Sequence, residues 1–211
     1  MSMLCSLTDV KAMLNITDDI QDSKLTLMIK SASAKIEEYV GYNLGRGEYT
    51  EELHAVNNRQ LLHLNHFPLQ NVSSVTVGGF AVTDYLVLPE YSRFGDLYRG
   101  SGWTGSCWTR GFTNDIVSGT YSIVASYTAG YYLPGDEGYI EGADDSLPYA
   151  ISAVCAEMVC MKYNADAMGA TGLKAHTEGH ISDTYSDDVN DYGLSESARK
   201  ILSGYVYYGV A

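Results

Sequence analysis

The run Gly100-Ser101-Gly102-Trp103-Thr104-Gly105 fits the pattern GxGxxG, whose backbone N–H groups can cradle a pyrophosphate. That chemistry requires a strand before the turn and a helix after it, and neither flank carries those patterns. The run therefore reads as a glycine-rich loop within a β region. No Walker A sequence, GxSxG elbow or HExxH pair occurs. His63 and His66 flank Leu64-Asn65, and His176 and His180 fall in a polar stretch without nearby cysteines, so neither pair closes a zinc site. The acidic stretch Asp183 to Asp191 resembles a calcium loop, but counting from Asp188 puts Arg199 at the twelfth position, where a bidentate Glu is needed. Trp103, Trp108 and neighbouring tyrosines could stack on sugars, which keeps a carbohydrate-binding or hydrolytic module as an alternative of a different class. No catalytic residue, cofactor or metal ligand emerges, and a non-enzymatic role is expected.

Composition narrows the partners. The 211 residues carry 13 basic and 26 acidic side chains, a formal charge of −13, which opposes extended binding to nucleic-acid phosphates or anionic lipid. No apolar run approaches the length of a membrane span, and the start lacks the features of a secretory signal, so synthesis in a cytoplasm is expected. Cys5, Cys107, Cys155 and Cys160 form no CxxC pair and read as buried thiols. Eighteen tyrosines suit either a β-sheet core or protein interfaces.

The elements that would position these residues are legible in outline. Ser6 and Asp9 imitate a capping box before Leu7, Val10, Met13 and Leu14, predicting a short helix that ends near Asn15. An acidic linker, Thr17-Asp18-Asp19, leads to residues 21–40, where Leu25, Met28, Ile29, Ala32, Ile36, Tyr39 and Val40 recur at helical spacing before Gly41, a left-handed stop. From about Tyr49 to Tyr131 the pattern becomes alternating and β-branched. It predicts strands at Thr50–Val56, Gln60–Leu64, Val72–Val77, Tyr85–Leu88 and Tyr121–Tyr127, with Gly78-Gly79 turning into Phe80–Val82. Residues 93–114 give no readable pattern. Ser146-Leu147-Pro148 opens a further helix with Ile151, Val154, Cys155, Met158, Met161 and Lys162 on one stripe. Residues 164–193, small, polar and acidic, predict an extended, mobile arm. Ser195 can cap a last helix in which Leu194, Ala198, Ile201, Leu202, Tyr205 and Tyr208 face one way. The expected fold class is α+β. Residues 1–48 supply two core helices, 49–131 an inserted antiparallel β region, and 132–211 two more helices with the arm.

The order of these motifs resembles the head-tail connector (adaptor) proteins of tailed double-stranded DNA bacteriophages. Leu7-Thr8-Asp9-Val10-Lys11-Ala12-Met13-Leu14, the acidic turn, Leu25-Thr26-Leu27-Met28-Ile29-Lys30-Ser31-Ala32 and Ile36-Glu37-Glu38-Tyr39-Val40-Gly41 are similar to that family's N-terminal signature. Phe67-Pro68-Leu69-Gln70-Asn71-Val72-Ser73-Ser74-Val75 resembles the segment opening the β insertion of its longer members, and Tyr127-Thr128-Ala129-Gly130-Tyr131 resembles its ending. Leu147-Pro148 and Ile201-Leu202-Ser203-Gly204-Tyr205 follow in the same order. The glycine- and tryptophan-rich loop at 93–114 and the acidic segment Gly135–Asp145 depart from it.

The resemblance implies a ring of subunits, commonly about twelve, built head to tail around a closed rotation. The ring would dock under the portal protein of a filled capsid and join it to a downstream neck, stopper or tail protein. Genomic DNA would pass through the lumen without sequence-specific binding, and no membrane is involved. The protein would reside in the virion neck after synthesis in the bacterial cytoplasm. Leu194, Ile201, Leu202, Tyr205, Tyr207 and Tyr208 are the expected partner-interface residues, and removal of 194–211 is expected to abolish portal attachment without unfolding the rest. A tail-completion or stopper protein is the alternative within the same setting.

Overall fold

The computed structural model describes residues 3–55, 59–88, 92–104, 123–167 and 194–206, together with the backbone of 175–178 and 181–184. The chain divides into two units: Met1–Asn43 with Tyr132–Ala211, and the intervening Leu44–Tyr131. The class is α+β, with four helices and an antiparallel sheet among the described residues.

In the first unit, helix α1 (Leu7–Leu14) starts where Ser6 Oγ accepts the Asp9 N–H at 3.0 Å and stops at left-handed Asn15. Lys11 Nζ reaches back to the linker, 2.7 Å from Asp19 and 2.8 Å from Asp22, so the acidic turn clamps α1 to the start of α2 (Asp22–Val40). Gly41, at φ 91°, ends α2 with its N–H on the Glu37 carbonyl. Leu25, Met28, Ile29, Ala32, Ile36 and Val40 are buried as their spacing predicts, and Tyr39 is half-buried. Ser33 is buried with them because its hydroxyl accepts the Leu4 N–H at 3.0 Å, satisfying a donor that the apolar pattern could not reveal.

Helix α3 (Tyr149–Ala167) follows Pro148 as expected, but its buried face differs from the predicted stripe. Ile151, Val154 and Cys155 are inside. Met161 is exposed and Met158 half-buried, while Ser152, Ala156 and Val159 take core positions. The helix packs against both α1 and α2, so its first turns bury a wide arc instead of one stripe and its last turns emerge. Cys5 and Cys155 are buried side by side as free thiols. Their mutual hydrogen bond and burial push the Cys5 thiol up, out of the reactive range. Cys107 lies outside the described residues.

The predicted arm is corrected in part. Residues 164–167 complete α3, and strands β7 (Ala175–Glu178) and β8 (Ile181–Thr184) pair antiparallel. Asp183 opposes His176 in that ladder, within the stretch compared to a calcium loop, whose candidate start at Asp188 lies outside the described residues along with His180. Helix α4 (Glu196–Leu202) is capped by Ser195, whose Oγ accepts the Ala198 N–H at 3.2 Å, and passes into a 3₁₀ turn at Ser203–Tyr205.

The second unit holds a four-stranded antiparallel sheet in the order β1-β6-β3-β4. Its strands are β1 (Gly47–His54), β3 (Leu69–Val77), β4 (Phe80–Ala81) and β6 (Ile123–Ala129), and β2 (Leu61–His63) pairs separately with β5 (Asp96–Tyr98). Gly78 and Gly79 both take positive φ, as the hairpin between β3 and β4 requires. Tyr85–Leu88 is not a strand. Leu86 makes a single bridge to Tyr98, and the pairing strand is Asp96–Tyr98, inside the segment that gave no readable pattern. Leu62, Leu64, Leu69, Val75, Leu97, Trp103, Ile123 and Tyr127 anchor this unit's core.

Candidate interaction surfaces

Among the described residues that could have carried chemistry, Gly102, Trp103 and His63 serve the fold. Gly102 takes φ 78° in a turn whose N–H donates to the Arg99 carbonyl at 2.9 Å, and Trp103 N–H continues to the Arg59 carbonyl. The described part of the GxGxxG run, residues 100–104, thus contains a turn leading a tryptophan inward. Trp103 is fully buried, and its indole N–H donates to the Leu97 carbonyl at 3.1 Å. It offers no face to a sugar. Trp108 and Gly105 lie outside the described residues. His63 pairs with buried Asp96, so β2 and β5 are joined by a side-chain contact as well as by their ladder. No cluster of three or more metal-ligating side chains occurs among the described residues.

A polar network that the sequence did not announce lies on β1. A bulge between Tyr49 and Glu52, with Glu51 at φ 54°, shifts the alternation of the strand. Glu52 turns inward as a result. Its two carboxylate oxygens each accept the Tyr127 hydroxyl at 2.8 Å, and it also accepts the Asn65 N–H at 3.2 Å. His66 Nδ1 is 3.0 Å from Glu52, and its ring stacks on Tyr49 with centroids 3.6 Å apart. His54 Nε2 lies 2.6 Å from the same carboxylate but makes no well-aligned hydrogen bond. Burial disfavours the Glu52 charge, but the Tyr127 hydroxyl, the Asn65 N–H and the two imidazoles outweigh it and hold the carboxyl below its ordinary range. Burial likewise holds His54 below the ordinary histidine value despite Glu52.

These shifts make the β unit acid-sensitive in a defined direction. A carboxyl depressed below 4.5 adds stability above that pH and loses it as pH falls through the folded value. A histidine depressed below 6.5 acts in the same sense, because the unfolded chain takes the proton first. Glu52→Gln should cost about 1–3 kcal/mol at neutral pH, since the buried Tyr127 hydroxyl loses its charged acceptor. Thermal melts from about pH 7 to pH 3 should then show a shallower decline below pH 5 for the variant than for the native chain. Parallel curves would show that this carboxylate does not carry the acid response.

The two motifs that bracket the β unit meet. Gly130 N–H donates to the Pro68 carbonyl at 2.9 Å, Gln70 Nε2 donates to the Gly130 carbonyl at 3.0 Å, and Leu69 opposes Ala129 in the ladder. On the other side Tyr131 N–H donates to Leu44 and Arg46 N–H to Tyr131, closing the unit at its first and last residues. Gly130 is at φ 95°, and a Cβ there would lie 2.3 Å from the Gly45 carbonyl oxygen.

Of the expected interface residues, Leu194 and Leu202 are fully buried within the chain and cannot present a surface while α4 stays docked. Ile201 is 43% exposed and Tyr205 half-buried, whereas Tyr207 and Tyr208 lie outside the described residues. Larger apolar exposures occur elsewhere: Leu27 at 70% on α2, Ile140 at 67% and Tyr149 at 72%. Sequence periodicity could not find Leu27, which lies off the buried face of α2, or Ile140, which lies in a loop.

Residues 3–102 match the family model described as "Head completion protein", a span covering α1, α2 and the β unit through β5. No curated protein matches significantly. Among solved structures, a chain in "Neck of empty GTA particle computed with C6 symmetry" shares the fold with a TM-score of 0.52 and 11% identity, over 99% of this chain and 92% of that one. The first match is to a head completion family over residues 3–102, just under half of the chain, and the second is a likeness of fold alone.

Proposed function

We propose that the protein is a structural head-tail connector subunit of a phage or phage-like particle, forming a ring beneath the portal and joining the capsid to the neck or tail. The observation that carries this reading is the agreement of two independent matches. The head completion model fits the N-terminal helices and most of the β unit, and a neck-protein fold spans almost the entire chain. The sixfold symmetry of that neck supports a closed ring here, of six or a multiple of six subunits. Its role is proposed to be non-catalytic, with assembly in the host cytoplasm and residence in the virion neck. DNA would traverse a lumen where the net charge of −13 discourages phosphate adhesion. A head-side position, implied by the family's description, favours portal contact over a tail-completion or stopper role.

Attachment to the portal is assigned to the exposed side of α4 and the following turn, centred on Ile201 and Tyr205. Deleting 194–211 would remove Leu194, Ala198 and Leu202 from the core of the first unit and so would confound folding with attachment. The discriminating variant is Ile201→Asp. It should leave the unfolding free energy within the range of ordinary surface changes, about 0.5 kcal/mol, while weakening binding to purified portal rings roughly tenfold or more. Undiminished binding would remove α4 from the portal interface.

A further inference from the structure

We infer that the groove between α2 and α3 receives the acidic loop Gly135–Asp145 of a second copy of this chain. The inference rests on the ring-forming role just proposed and adds to it the surfaces through which neighbouring subunits meet.

The groove has a volume of about 650 Å³ and an apolar floor that includes Leu27 and Met28. Its rim carries Lys24, Lys30, Lys35 and Lys162, four of the seven lysines in a chain of net charge −13, against only Glu38 and Asp166. Lys24 is partly engaged, 3.9 Å from Asp166 and over the Tyr163 ring. Lys30, Lys35 and Lys162 form no ion pair among the described residues. A basic rim around exposed Leu27 in an acidic protein calls for an occupant with an apolar centre and acidic flanks.

Such a segment exists in the same chain. Residues 135–145 contain Asp136, Glu137, Glu141, Asp144 and Asp145 and no basic residue, with Ile140 exposed among them. The loop is held in shape from within: Leu133 N–H donates to Asp136 at 2.8 Å, and Ile140 N–H to Ser146 Oγ at 3.3 Å. Glu137, Glu141 and Asp144 remain without ion-pair partners among the described residues. The loop lies by the first turns of α3, beside Tyr149 and Ser152, whereas the groove uses Lys162 and Asp166 near its end. The two patches are therefore separated by roughly 15–20 Å along the helix. Two different, complementary surfaces apart on one subunit make a head-to-tail contact, the kind that closes into a ring. Insertion of Ile140 beside Leu27 would bury both, and the lysine and carboxylate rims would set orientation.

A charge swap tests the contact. Lys30→Glu with Lys35→Glu, Glu137→Lys with Glu141→Lys, and the chain carrying all four substitutions would be compared with the native chain. Self-association would be followed by native mass spectrometry and sedimentation, free in solution and on portal-bearing heads lacking the connector. Thermal melts would confirm that each variant is folded. Each reversal should weaken self-association about tenfold or more, and the four-substitution chain should recover most of it. Reversals without effect, or a combined chain that shows no recovery, would overturn the contact. If the native chain still binds heads in that case, the connector role stands and only this surface assignment fails. If the native chain neither self-associates nor binds heads, both fail. Loss of head binding by the groove reversal with self-association intact would give the groove to another virion protein and likewise overturn the inference.

Discussion

Gly130→Ala should destabilise the protein by about 3–5 kcal/mol, through two effects that act together. At φ 95° an alanine is strained by its own Cβ, and that Cβ would also sit 2.3 Å from the Gly45 carbonyl oxygen and 2.9 Å from the Arg46 Cα. Both neighbours are backbone, so no side-chain rotation relieves the overlap. Relief requires moving the chain apart where Gly130 bonds Pro68 and Tyr131 bonds Leu44 and Arg46, the hydrogen bonds that close the β unit. Gly41→Ala is the matched control. Gly41 is at φ 91° with nothing within 4 Å of its Cβ position, so only the conformational cost of about 1 kcal/mol applies. Denaturant unfolding of the two variants should separate them clearly. Equal losses would show that the close approach at Gly130 is not restrictive.

Trp103→Ala should cost about 3–5 kcal/mol. The indole is wholly buried against the core of the second unit, and Tyr85 packs on it with centroids 6.2 Å apart. Arg99 spans its face at 5.7 Å while bonding Asp84 at 2.9 Å. Truncation leaves a large cavity and strands the Leu97 carbonyl that the indole N–H satisfied. Phenylalanine would restore part of the volume but not that hydrogen bond, and should recover about half the loss. The same substitutions separate this structural role from sugar stacking. Glycan arrays should show no binding that Trp103 controls, and stability, measured by chemical unfolding, should be the property that falls. A native-like unfolding midpoint for Trp103→Ala would contradict the packing described.

Elements with one buried face were legible from the residues, and those with other constraints were not. α2 buries one stripe, so its period of three and four, its acidic entry and its Gly41 stop all agreed with the structure. α3 is covered on two sides, which blurred its stripe and moved the core from Met161 to Val159. β5 escaped notice because one of its three residues, Asp96, is a buried carboxylate whose partner His63, on the paired strand β2, is 33 residues away in sequence. β7 and β8 carry one apolar residue each, Ala175 and Ile181, so their sequences left no alternation to detect. In β1 the bulge at Glu51 sets which side chains face inward: Leu53 is exposed and His54 buried. Hence the Glu52 network was invisible, although the Tyr127-Thr128-Ala129-Gly130-Tyr131 motif already contained its hydroxyl donor and the glycine of the closure.

Which apolar residues stay exposed for a partner was the least legible part, and the reason is again packing. The single apolar face expected for α4 is split: Leu194, Ala198 and Leu202 face inward, whereas Ile201 is exposed. The surfaces proposed for partners rest on exposed apolar residues with charged rims, and such a pattern has no period in sequence.

The connector role is tested most directly by native mass spectrometry of the purified chain mixed with its cognate portal ring. The account predicts chains adding around the portal in numbers that match its symmetry, up to a complete ring. A chain that stays off the portal at every ratio would contradict it.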